Sequence, residues 1–225
     1  MANITLTING SEVSGPQGTT ILEMVREQGI DIPTLCYCDD LAPQGLCRLC
    51  VVEVEGSRVL VGSCHTPITA GMVIQTHSSK VIETRKVLLE LLLSSHSGVC
   101  ILCEKANICE LRQIATEYEV GLTRFQSKRR YYPIEDVSSY VHRDLSKCIL
   151  CRRCVLICDE VAEKKVYAVG YRGFKSKIVV DCDQPLDKEV CRDCGKCIPV
   201  CPTGSLSKPL VVGEEKTGTP LITKG

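Results

Sequence analysis

The sequence predicts an α+β protein assembled from three small units rather than around one large core. Three observations predict it. Apolar and polar residues alternate at Ile4, Leu6 and Ile8, as in a half-buried strand, and a capped helix follows. A second, apolar helical stretch stands alone near the middle of the chain. Finally, the 17 cysteines among 225 residues fall into short runs, and one run is repeated.

Residues 1–78 read as a compact α/β unit. Thr20 with Glu23 three residues on is a capping box that opens a helix, and Gly29 stands where a helix-terminating glycine belongs. Cys50 to Val61 reads as a hairpin around Gly56-Ser57 with a type II′ turn, and Val73 to Thr76 as a last strand. Residues 79–140 read as mainly helical. One helix is expected from Lys80 to Leu93, and another from Asn107, with Glu110 three residues on, to Gly121. Phe125 to Tyr140 reads as a connector. In residues 141–208, Cys148, Cys151, Cys154 and Cys158 each recur 43 positions later, as Cys191, Cys194, Cys197 and Cys201. Such a repeat implies two pseudo-symmetric halves. The tail, 209–225, is rich in Gly, Thr, Lys and Pro, which suits disorder or docking on a partner.

Composition narrows the chemistry. Aromatic residues make up only 4% of the chain, with no Trp, so a conventional core is short of large side chains. The cysteines do not read as a disulfide scaffold. Their number is odd, most are spaced by two residues, and the N-terminus shows no signal-peptide pattern. A reducing, cytoplasmic setting is the expectation. Basic and acidic residues balance at 27 each, so nothing favours nucleic acid. The most apolar stretch, Val87 to Leu93, is interrupted by Glu90 and too short to span a bilayer.

The repeated unit is C-x2-C-x2-C-x3-C. Three thiolates spaced by two residues let one short loop wrap three corners of a cubic cluster, while the fourth Cys lies a helical turn away and points elsewhere. Zinc instead takes four tetrahedral ligands, usually as two separated close pairs. The runs resemble bacterial two-cluster ferredoxins, in which the fourth Cys of each run ligates the other cluster. That resemblance implies one [4Fe–4S] cluster on Cys148, Cys151, Cys154 and Cys201 and another on Cys158, Cys191, Cys194 and Cys197. The second run ends in Cys201-Pro202, as the family pattern does; the first ends in Cys158-Asp159 and departs from it.

Two further constellations lie upstream. Cys36-x10-Cys47-x2-Cys50-x13-Cys64 sits in the N-terminal unit, and His96-x3-Cys100-x2-Cys103-x5-Cys109 follows the apolar helix. The first resembles the plant-type ferredoxin pattern with a longer first gap. Its flanks, Ile32-Pro-Thr-Leu-Cys36, Gly45-Leu-Cys47-Arg-Leu-Cys50 and Ser63-Cys64-His-Thr-Pro67, resemble the N-terminal domain of the large cluster-bearing subunit of respiratory complex I. They also resemble the matching domain of multi-cluster [FeFe] hydrogenases. The resemblance implies a [2Fe–2S] cluster on Cys36, Cys47, Cys50 and Cys64, with Cys38 the rival of Cys36. It also implies a [4Fe–4S] cluster on His96, Cys100, Cys103 and Cys109. Arg48 is either a hydrogen-bond donor near the first cluster's sulfurs or a solvated surface residue. The helix dipole is expected to favour the Cys109 thiolate. Cys182 reads as a small buried residue, and His65, His77 and His142 fit no ligand spacing.

The implied fold class is thus α+β: a β-grasp [2Fe–2S] ferredoxin-like domain, a helical [4Fe–4S] domain with one His and three Cys ligands, and a bacterial-type 2[4Fe–4S] ferredoxin-like domain. There is no G-x-G-x-x-G or Walker motif, so no nucleotide site is expected. Residues 1 to about 208 carry the resemblance. In length and motif set the chain resembles the diaphorase small subunit of soluble NAD(P)-linked or electron-bifurcating hydrogenases, and the equivalent subunits of NAD-linked formate dehydrogenases. What this implies is a non-catalytic conduit between a flavin/NAD(P)-binding diaphorase subunit and hydrogenase small and large subunits or their equivalent. A zinc-stabilised interaction module and a diffusible polyferredoxin are the alternatives.

Overall fold

The computed structural model describes residues 3–96, 99–126, 131–134, 138, 140–186 and 189–209. Strands β1 (Asn3–Ile8) and β2 (Ser11–Pro16) form a hairpin whose turn is Asn9-Gly10, both with positive φ (50° and 86°). That is the signature of a two-residue type I′ turn. Strand β2 is absent from the sequence-based expectation, although Asn-Gly after an alternating strand marks it. Helix α1 (Ile21–Glu27) has the expected capping box: Thr20 N donates to Glu23 Oε2 (2.7 Å) and Glu23 N to Thr20 Oγ1 (3.3 Å). It closes with Gly29 N donating to Arg26 O and Ile30 N to Val25 O, the paired bonds of a Schellman motif.

Strands β3 (Val51–Val54), β4 (Val61–Gly62) and β5 (Val73–Gln75) complete a five-stranded sheet in the order β2-β1-β5-β3-β4. Only the β1–β5 pair is parallel. The β3–β4 hairpin differs in its turn from the expectation. Ser57 N donates to Val54 O, which puts Gly56 (φ 79°) at the third turn position, as in a type II turn. Leu6, Ile8, Ile21, Leu22, Val25, Val52 and Ile74 form the core between sheet and helix. The long segment between α1 and β3 is irregular and carries Cys36, Cys47 and Cys50.

Helix α2 (Ser79–Ser95) is capped by the Ser78 hydroxyl, which accepts from Val81 N (3.3 Å). Helix α3 (Glu110–Glu117) is shorter than expected at both ends. Its first turn hangs on Cys109 O, which accepts from Gln113 N. It stops before Gly121 is reached, because Glu119 takes the left-handed conformation (φ 57°) and Val120 folds back to bond Ala115 O. A buried charge joins these parts. Arg85 is fully buried on α2 and donates to Leu49 O (3.0 Å), Val51 O (2.8 Å) and Tyr118 Oη (2.9 Å). It therefore pins the Cys47–Cys50 turn to both helices.

The C-terminal part holds two small antiparallel pairs. Strand β6 (His142–Arg143) pairs with β9 (Leu206–Ser207), and β7 (Tyr167–Gly170) with β8 (Lys177–Val180). Helix α4 (Arg153–Leu156) runs into a π-turn over Ile157–Val161. Val141, Ile157, Tyr167, Ile178, Val180 and Leu206 close its core. Among the described residues no helix is long and apolar enough to cross a membrane. The proposed connector is described only in part, and the tail beyond residue 209 lies outside the described residues.

Replacing Arg85 by Met leaves two buried carbonyls and a phenol without their donor. Arg85→Met is expected to cost about 2–4 kcal/mol of stability, read as a lower anaerobic denaturant midpoint at unchanged slope. A loss below roughly 1 kcal/mol would contradict the pinning role.

Candidate metal centres

Cys36, Cys47, Cys50 and Cys64 lie beside one another. Cys47 N donates to Cys36 Sγ (3.4 Å) and Leu35 N to Cys47 Sγ (3.4 Å). Leu46 N also serves Cys36 and Leu49 N serves Cys47, so the main chain wraps the sulfurs with N–H groups. Left-handed conformations at Gly45 (φ 60°) and Arg48 (φ 61°) produce that wrapping. The Arg48 guanidinium itself packs beside Gly62 and His65. These thiols bond one another in pairs. The hydrogen bond from Cys47 holds Cys36 down at about 6, while Cys47 is pushed up. The bond from Cys64 likewise holds Cys50 at about 6 while Cys64 is pushed up. Cys36, Cys47 and Cys50 all act on Cys64. Cys38 packs instead against the C-terminal core, in the field of Arg153. There the neighbouring Ala42 N reaches Glu160 Oε2 (3.4 Å).

His96 ends α2 and is buried. Cys100, Cys103 and Cys109 follow on a loop that reaches the start of α3, and the charges of Cys103 and Cys100 act on Cys109. Burial pushes the Cys109 thiol up, and N–H bonds from Arg112 and Leu111 at the helix start only partly offset this. The helix end therefore favours the thiolate, as expected, but burial prevails.

The two repeated runs exchange their fourth members. Cys148, Cys151 and Cys154 line one cavity together with Cys201. Cys191, Cys194 and Cys197 line another together with Cys158. The repeat extends to the backbone. Leu150 and Arg152 are left-handed (φ 58° and 64°), and so are their counterparts 43 residues on, Asp193 and Gly195 (φ 58° and 57°). Alternation of this kind turns successive N–H groups inward. Leu150 N donates to Cys148 Sγ (3.4 Å) and Val166 N to Cys158 Sγ (3.3 Å). Burial pushes Cys151 and Cys154 up, and holds Cys197 at about 11. Among the described residues no group of three or more His, Cys, Asp or Glu is disposed to hold a single ion.

These sites adjoin. Lys105, between Cys103 and Cys109, donates its ammonium to Ile198 O and Cys201 O (3.3 Å). Glu110 N donates to Pro202 O (3.0 Å), and a Cβ on Gly204 would collide with Cys103 Sγ. Cys47, Cys109 and Ile149 meet in one apolar cluster around Leu35, Leu49 and Leu89. The expectation for Cys182 is corrected: it is exposed, on a tight turn in which Asp181, Cys182 and Asp183 all have positive φ.

Fold and thiol nests together define an iron–sulfur protein of ferredoxin-like domains. Residues 1–79 match the family model of the 2Fe-2S iron-sulfur cluster binding domain. Residues 85–124 match that of the NADH-ubiquinone oxidoreductase-G iron-sulfur binding region, and residues 138–207 that of the ferredoxin-like domain of NADH-quinone oxidoreductase subunit 3. All three matched regions are iron–sulfur or ferredoxin-like domains. The chain is 40% identical over 211 residues to the NADP-reducing hydrogenase subunit HndD of Solidesulfovibrio fructosivorans, covering 92% of this chain and 36% of that protein. It is 33% identical over 214 residues to an NADH-quinone oxidoreductase subunit of Rickettsia bellii, covering 95% of this chain and 31% of that protein. The chain thus spans about a third of the length of these curated relatives. Among solved structures it is similar to a chain of an NAD+-reducing [NiFe]-hydrogenase in the H2-reduced state, with TM-score 0.80 and 28% identity over 91% of this chain and 87% of that one.

Three serine substitutions separate the groupings. Cys36→Ser is expected to abolish the [2Fe–2S] signal in electron paramagnetic resonance, whereas Cys38→Ser keeps it. Cys201→Ser is expected to damage the cluster of the first run and spare that of its own run. The reverse pattern in either pair would contradict the grouping.

Proposed function

We propose that this chain is an iron–sulfur electron-transfer subunit of a multi-subunit NAD(P)(H)-linked oxidoreductase of hydrogenase type. It passes single electrons between a flavin/NAD(P)-binding subunit and a second redox subunit. The observation that carries this reading is the exchange of Cys158 and Cys201 between the two runs. Two zinc sites have no reason to interlock in this way, whereas paired cubanes do.

On this reading residues 1–78 hold a [2Fe–2S] cluster on Cys36, Cys47, Cys50 and Cys64. Residues 79–140 hold a [4Fe–4S] cluster on His96, Cys100, Cys103 and Cys109, and residues 141–208 hold two more in the crossed sets. When bound, the clusters supply one-electron redox chemistry. The chain's own part is to fix and insulate them. Main-chain N–H groups of Leu35, Leu46, Cys47, Leu49 and Leu150 bond the sulfurs and offset their negative charge. Arg85, Lys105 and the shared apolar cluster hold the nests side by side. Membership in a larger assembly is supported by the loop that bears the His-site cysteines. Val99, Ile101, Leu102 and Ile108 on it are exposed, Ile101 by 92%, a run of large apolar side chains that a freely diffusing carrier rarely presents.

An affinity-tagged chain purified anaerobically from its host is expected to bring down a flavin-containing subunit that oxidises NAD(P)H, together with a hydrogenase-type subunit. NAD(P)H is expected to bleach the visible absorption of that complex and leave the isolated chain unreduced. A monomer that NAD(P)H reduces without any partner would contradict the proposal.

A further inference from the structure

Arg153 lies between Cys151 and Cys154 in the first turn of α4, and only 6% of it is exposed. A guanidinium carries five donors and a charge that it does not lose, so a buried one needs acceptors on every side. Its Nη1 has them, in Glu110 Oε1 (2.7 Å) and Val200 O (3.4 Å). Its Nε is completely buried and has no hydrogen-bond partner among the described residues. Native structures seldom leave such a donor unmatched. The thiols whose charge acts on Arg153 most strongly are Cys151 and Cys38. Arg153 therefore stands where three ligand loops meet: its own run, the loop after Cys36, and the start of α3 beside Cys109.

We propose that Arg153 is a positioning residue for the cluster held by Cys148, Cys151, Cys154 and Cys201, that its buried Nε–H donates to a sulfur of that site, and that its charge, balanced by Glu110, sets the site's reduction potential. The proposal rests on the cluster reading above. The electrostatics follow directly. An added electron increases the negative charge of the site, and a cation held beside it in a region of low dielectric stabilises the reduced form. Glu110 works in the opposite sense, because its carboxylate cancels part of that cation. The equivalent place in the second run carries no buried guanidinium. Its counterpart of Arg153, 43 residues on, is Lys196, which is exposed and donates to Val161 O (3.4 Å). The second-run site is therefore an internal control.

The test is redox potentiometry followed by electron paramagnetic resonance on the anaerobic full chain, with iron and sulfide contents measured for each variant. Arg153→Gln is expected to shift the first-run cluster to lower potential, and Glu110→Gln to shift it to higher potential. Arg153→Lys, which keeps the charge but not the Nε donor, is expected to fall between wild type and Arg153→Gln. The cluster of Cys158, Cys191, Cys194 and Cys197 stays at its wild-type potential in all three. A purely structural role predicts loss of iron and no shifts of opposite sign. If Arg153→Gln loses its iron, Glu110→Gln still decides, because it retains Arg153 and the main-chain bond to Pro202. A rise in potential supports the proposal, and an unchanged or lower potential overturns it. Variants with full iron and sulfide and unmoved potentials overturn this inference alone. Wild-type protein without inorganic sulfide overturns both it and the function on which it rests.

Discussion

Thiols crowded together out of water cannot all ionise, and the rest of the structure depends on how that conflict is resolved. In the N-terminal nest the bond from Cys47 lowers Cys36 and the bond from Cys64 lowers Cys50, while Cys47 and Cys64 are themselves pushed up. In the first ferredoxin-like nest, burial and neighbouring sulfur push Cys151 and Cys154 up. A metal's positive charge reverses this arithmetic and deprotonates a coordinating thiol outright. The folded arrangement is thus one that metal completes, and the binding free energy becomes folding free energy. This also accounts for a chain that folds with so few aromatic side chains.

The main chain does most of the work of shaping the nests. Short loops place left-handed residues beside the cysteines, and the same two positions recur in both halves of the repeat. Long polar side chains then bind the nests to one another. Arg85 reaches from α2 to the Cys47–Cys50 turn, and Lys105 reaches from the His-site loop to the carbonyl of Cys201. Each of these cations is buried and bonded to carbonyl oxygen, so each is costly to remove and specific in what it joins.

Local features were legible in the sequence. The Thr20–Glu23 capping box, the end of α1 at Gly29 and the 43-residue repeat all depend on neighbours or on fixed spacing. The Asn9-Gly10 hairpin is equally local, fixed by two adjacent residues that accept positive φ. The boundaries of α3 were displaced because Cys109 O and the fold-back of Val120, both tied to packing, outweighed Asn107 and Gly121. The burial of Arg85 and Arg153 and the exposure of Cys182 were not legible, since each depends on contacts between segments far apart in the chain.

The most direct measurement is metal and acid-labile sulfide analysis of the anaerobically prepared chain. The account predicts about fourteen iron atoms and a similar number of sulfides per chain, the content of one [2Fe–2S] and three [4Fe–4S] clusters. A colourless protein holding roughly four zinc ions and no inorganic sulfide would contradict it.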